Sequence, residues 1–164
     1  FRYKRDFGQI SWMSLAAAAW WRTTGQRELA DLLFEITDWI LTFQQTHPEH
    51  ATRGAFLTDH QPDTPGFTTA VYLEAVAAAL DVASALSDTV RQRRYDDAWQ
   101  LGFAFLDRLI IQDRDSTILP NADYAVGGLR ENLYSGHVRI DFVQHSLAAI
   151  MGRHPDVFVK NQAD

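Results

Sequence analysis

The sequence predicts an all-α fold of antiparallel helical hairpins. Apolar residues recur at helical spacing through five long segments, and no segment shows the two-residue alternation of a half-buried strand. The segments also pair up: a short break separates the members of each pair, and a long turn-rich loop follows.

The first helix is expected from Gln9 to about Thr23, after an aromatic lead-in containing Phe1, Tyr3 and Phe7. Ser11 is placed to cap it, and the strong helix formers Ala16 to Ala19 carry it forward. Gly25 breaks the pattern. The second helix, Gln26 to about Gln45, carries the clearest amphipathic stripe, with Leu29, Leu32, Leu33, Ile36, Trp39, Ile40 and Phe43 on one side, and His47-Pro48 ends it. The loop from Gly54 to Phe67 is polar, aromatic and rich in turn residues. The third helix, Thr68 to Leu86, is small and apolar on most sides. The fourth, Thr89 to Gln112, opens with a charged turn and ends in aliphatic residues. A second loop, Asn121 to His137, precedes the fifth helix, Val138 to Met151. Leu57 and Leu129 are expected in short extended pieces at most.

The 164 residues suffice for one domain with a real core, and 46% of them are apolar. A formal charge of −6 argues against a surface made for nucleic acid or anionic lipid. The absence of cysteine excludes disulfides and thiolate metal sites but leaves the compartment unassigned. Charged residues interrupt the best apolar runs, so no membrane span is expected. The chain begins at Phe1 without a signal-peptide pattern, which points to a processed protein or a piece of a longer one.

An internal repeat of roughly 60 to 70 residues links these segments. Each unit holds an alanine-rich helix, an amphipathic helix ending in apolar residues plus glutamine, and a glycine-containing loop. Thus Leu41-Thr42-Phe43-Gln44-Gln45 precedes Gly54-Ala55-Phe56, and Leu109-Ile110-Ile111-Gln112 precedes Gly127-Gly128-Leu129. This run resembles the aromatic-Gln-Gly-Phe pattern of the prenyltransferase and squalene-cyclase repeats. The opening Gly66-Phe67-Thr68-Thr69-Ala70-Val71-Tyr72-Leu73-Glu74 resembles the inner-helix openings of six-hairpin glycosidases. The resemblance covers the architecture of about residues 10 to 150. It implies an (α/α)-toroid-like domain spanning 1–164, complete or a fragment of a larger toroid, whose alanine-rich helices form an inner parallel row. Both long loops would then meet over the N-termini of that row, an end suited to anionic or polyhydroxylated ligands.

Three groups of residues are candidates for chemistry on such a rim. Asp59, His60 and Asp63 suit acid/base work, although Asx-turns ahead of Pro62 and Pro65, or a helix cap at Asp63, explain the carboxylates equally simply. His137, Asp141 and His145 share one face of the fifth helix and interrupt its apolar pattern, which marks a pocket wall or a polar network. Three residues spread over two turns cannot share one metal, and no metal motif is present, so no metal or other cofactor is expected. Tyr72 and Glu74 on the third helix, with Tyr124, Arg130, Tyr134, His137 and Arg139 from the second loop and its end, complete a substrate-binding set. Asp96-Asp97 resembles half of a terpene-type acidic motif, but the residues after it do not complete it.

The reading drawn from this is a glycan-processing enzyme, a hydrolase, lyase or epimerase, or a part of one. Asp59, His60, Asp63, Asp141 and His145 form its acid/base set, and Arg130 and Arg139 hold an anionic group. The alternative is a non-catalytic helical domain that binds a partner protein or ligand. The expected partners are a small molecule or glycan, and either further copies of the chain or a missing toroid half.

Overall fold

The computed structural model describes residues 5–58, 63–119 and 121–154. The fold is mostly helical, with one small hairpin. Four long helices follow in pairs, α1 (Ile10–Thr24) with α2 (Arg27–Leu41) and α3 (Thr68–Ala85) with α4 (Thr89–Asp107). A short α5 (Ala122–Ala125), the strands β1 (Arg130–Asn132) and β2 (Ser135–Val138), and a final long helix α6 (Ile140–Arg153) complete the order. All five expected helices are present. The hairpin was not expected: its strands are three and four residues long, too short to show an alternation.

Local chemistry sets the helix ends. Gly25 ends α1 in the left-handed conformation (φ 69°), and its amide bonds the Trp21 carbonyl. Asp88 caps α4 by accepting the Arg91 amide. Two expected caps are not used. Ser11 lies inside α1 with its hydroxyl turned to another helix, and Phe67, not Asp63 or Thr64, occupies the N-cap of α3.

Side-chain pairs give the helix directions. Ser11 and Arg22 of α1 bond Glu74 and Asp81 of α3, so position advances together along both helices. Phe142, His145 and Gly152 of α6 meet Phe67, Glu74 and Ala77 in the same sense. The helices α1, α3 and α6 therefore form a parallel row with α3 in the middle. Small residues such as Ala18, Ala77 and Gly152 let this row pack closely. Against it lie α2 and α4. Gly102 of α4 meets Leu73 and Gln92 bonds the Ala83 carbonyl, so α4 runs opposite to α3. Arg94 and Tyr95 bond Asp38, joining the two covering helices. The core fills the space between the layers, with Leu33, Phe34, Ile36 and Ile40 from α2 and Tyr95, Trp99 and Phe105 from α4.

Among the described residues, α3 is the one helix long and apolar enough to cross a membrane by length and composition. Its burial between α1, α4 and α6 accounts for that composition as a core helix.

The internal repeat appears as a repeated backbone pattern. Gln45 donates to the Ala55 carbonyl and accepts from the Gly54 amide, while Leu57 donates to the Phe43 carbonyl. Ile111, Gly128, Gly127, Arg130 and Leu109 reproduce those three bonds one unit later. Gly54 and Gly127 take the same role with positive φ, 96° and 82°. The extended pieces form around these bonds, pairing Phe56 with Gln44 and Leu129 with Ile110.

Candidate functional site

The two long loops meet. Gly66 pairs with Asn132, and the Phe67 amide donates to the Glu131 carbonyl at 2.8 Å. Just below, the Phe67 ring stacks on Phe142 with centroids 3.8 Å apart. The ends of the two loops thus close together over the N-termini of α3 and α6.

Along α3, solvent contact survives at Thr68 and Ser84 near its two ends and at Val71, Asp81 and Ala85, and Glu74 shares the helical stripe of the last three. Glu74 therefore points to the open side of the row, yet its side chain is only 5% exposed because two neighbours cover it. The Ser11 hydroxyl of α1 donates to Oε2 at 2.9 Å, and Nδ1 of His145 on α6 lies 2.5 Å from Oε1. One carboxylate thereby ties together all three helices of the row. His145 keeps 16% of its side chain exposed, so the imidazole is the solvent-facing member of the group.

An ionised carboxylate only accepts, so a neutral His145 bonded to an ionised Glu74 would carry its proton on Nδ1 and keep the lone pair on Nε2. A carboxylate that fixes the tautomer of an imidazole is the usual support of a general acid–base histidine. Ser11 is buried, and its hydroxyl donates to the carboxylate and holds it in place. Among the described residues, no three His, Cys, Asp or Glu side chains converge as metal ligands do.

The remaining predicted site residues divide as follows. Asp141 lies one turn before His145 but is held by Arg139, whose Nε and Nη2 reach its two oxygens at 2.9 Å each. The Arg139 guanidinium also stands over the Phe142 ring. His137 does not share a helix face with Asp141 and His145: it lies in β2, three residues before α6 begins, edge-on to Phe142 with Nδ1 4.0 Å from Glu131. These residues ring the loop end of the row, near the pair. Arg130 is not free for an anion: it binds Asp115 and the Leu109 carbonyl and holds the second loop in place. Tyr72 is not at the rim. It is buried in the core against Phe56 and Phe7, and that burial pushes its phenol above the ordinary value. Tyr124 and Tyr134 are exposed on the second loop. Asp63 is exposed, whereas Asp59 and His60 lie outside the described residues.

From the sequence alone Glu74 reads as a substrate-binding residue and Ser11 only as a helix cap. The spacing of Ser11, Ser14, Ala18 and Arg22 along one face of α1 was the available signal, since small polar residues on a packed face need partners.

Away from the pair, a cleft of about 440 Å³ opens at the C-terminal end of α3, between Ser84, Thr89, Arg93 and the Asp96–Arg153 ion pair. Comparison with known proteins returns no matching family, curated protein or solved structure.

Proposed function

We propose that the chain is an arc of an (α/α) toroid belonging to a glycan-processing enzyme, and that Glu74 and His145 are its proton-transfer centre. The observation that carries this reading is the 2.5 Å contact between the His145 Nδ1 and Glu74 Oε1 on the open face of the parallel row. The row supports the toroid, as do the antiparallel covering helices and the repeated loop geometry.

Among hydrolase, lyase and epimerase, the arrangement favours the two that remove a proton from carbon. A glycosidase of the common type needs two carboxylates across the scissile bond. Here Glu74 is committed to Ser11 and His145, and Asp141 to Arg139. An imidazole with a free Nε2 is instead suited to abstract a proton next to a carbonyl and return it. Sugars offer such protons at C2 of an open-chain aldose and at C5 of a hexuronate.

Proton NMR in D2O tests this. The chain is incubated with a panel of N-acetylhexosamines, aldohexoses and hexuronates, and loss of a C–H signal next to the carbonyl is followed. Exchange with at least one of them, abolished in His145→Gln, is the expected result. Exchange unchanged in His145→Gln, or none with any sugar of the panel, would remove the reading.

A second reading rests on the free flanks of the row. Trp20 on α1 and Ile140, Leu147 and Met151 on α6 are exposed on its two end helices. Such flanks suit further helices or a binding partner. Sedimentation of the isolated chain decides it: a monomer at all concentrations speaks against association through these flanks.

A further inference from the structure

We infer that Trp12 is the stacking platform of the Glu74–His145 site and that the ligand it receives is a pyranose ring. This rests on the proton-transfer reading of that pair.

Trp12 directly follows Ser11, the residue whose hydroxyl holds the Glu74 carboxylate. An α-helix turns by about 100° per residue. Ile10, one step back from Ser11, is fully buried beneath the row. One step forward therefore places Trp12 on the opposite side, the open face on which Glu74 and His145 lie. Its indole is 62% exposed, and Leu15, Ala16 and Ala19 continue the same open surface along α1. Among the described residues no aromatic ring stacks on it, although Phe7, Trp39, Phe43 and Phe67 all have ring neighbours.

An exposed indole beside an acid–base group offers one flat apolar surface next to one polar reaction point. A pyranose matches both: its axial C–H bonds form an apolar face that lies on an aromatic ring, and its hydroxyls and ring carbons form a polar edge. With its C–H face on Trp12, a ring would turn its polar edge along the shared open face, the side of the row on which the Glu74–His145 pair lies. Trp20, equally exposed at 63%, is half a turn away from Ser11 in angle and faces the free flank of α1. It supplies the control.

Saturation-transfer NMR with methyl β-D-glucopyranoside and N-acetyl-D-glucosamine tests the assignment. Saturation confined to one face of a ring is expected in the wild-type chain, with affinity weakened at least tenfold in Trp12→Ala, partly restored in Trp12→Phe and unchanged in Trp20→Ala. Equal binding by Trp12→Ala and wild type, or no saturation of either sugar, overturns it. The two inferences fail separately. Normal binding by Trp12→Ala together with His145-dependent exchange removes the platform and leaves the acid–base pair. Trp12-dependent binding without any His145-dependent exchange removes the pair and leaves the platform.

Discussion

His145 and Glu74 stand 71 residues apart in sequence and 2.5 Å apart in space. The contact joins the last long helix to the central one, and Ser11 extends it to the first. Neither side chain finds its partner within its own helix, so the pair exists only once the parallel row has assembled. The site is therefore a product of tertiary packing, and its residues carry both stability and chemistry.

Two serines on α1 separate those contributions. Ser11 bonds a buried carboxylate, whereas the hydroxyl of Ser14, one turn on, is buried without a hydrogen-bond partner among the described residues. Ser11→Ala is expected to cost about 2 kcal/mol, the range for a bond to a charged group. Ser14→Ala is expected to be neutral or stabilising by up to about 1 kcal/mol, because it removes an unpaired buried hydroxyl. Urea denaturation of both variants checks the contrast. Equal losses would show that the Ser11–Glu74 bond contributes nothing specific.

The junction of the two loops depends on Gly66. A methyl group there would overlap the Glu131 carbonyl oxygen, the acceptor of the Phe67 amide bond. Gly66→Ala is expected to cost at least about 3 kcal/mol, in the class of backbone clashes that cannot relax. Gly25→Ala meets open space and pays only for its positive φ, about 1 kcal/mol. Thermal melts of the two variants give the order, and hydrogen exchange at the Phe67 amide reports whether the junction has opened. Similar melting temperatures would mean that the loops are not held through this contact.

Much of the architecture was readable because it is local. The stripe of α2 and the alanine-rich faces of α1, α3 and α6 are periodic patterns that any helix must present, and Gly54 and Gly127 mark the repeated turn. The site was only half legible. His145 and Glu74 could be named as polar residues in apolar helices, but their pairing depends on helix register, which no local pattern records. Ser11 reads as a cap because serine near a helix start usually is one. Tyr72 reads as a rim residue because it stands in the first turns of the third helix, just after the loop, yet here the core claims its ring. The β1–β2 hairpin forms against Gly66 of another loop, a partner that its own seven strand residues do not announce.

Acid should weaken α4 at its start. Asp88 accepts the Arg91 amide and pairs with its guanidinium, and these bonds hold its carboxyl below the ordinary value of 3.8. Above about pH 5 the carboxylate is ionised in the folded and unfolded chain alike, so the cap contributes in full. As pH falls through the ordinary value the unfolded chain takes up the proton first, and the contribution is lost as pH approaches the folded value. The difference in melting temperature between wild type and Asp88→Ala is therefore expected to be constant near neutrality and to shrink steadily in acid. A difference that grows with acidity would contradict the cap.

The protonation state of His145 tests the central claim most directly. Long-range 1H–15N correlation spectra of 15N-histidine-labelled protein at neutral pH distinguish the two ring nitrogens and show which carries the proton. The account predicts a proton on Nδ1, shared with Glu74, and an unprotonated Nε2, with that preference lost in Glu74→Gln. A wild-type His145 protonated on Nε2 alone, or a spectrum that Glu74→Gln leaves unchanged, would contradict it.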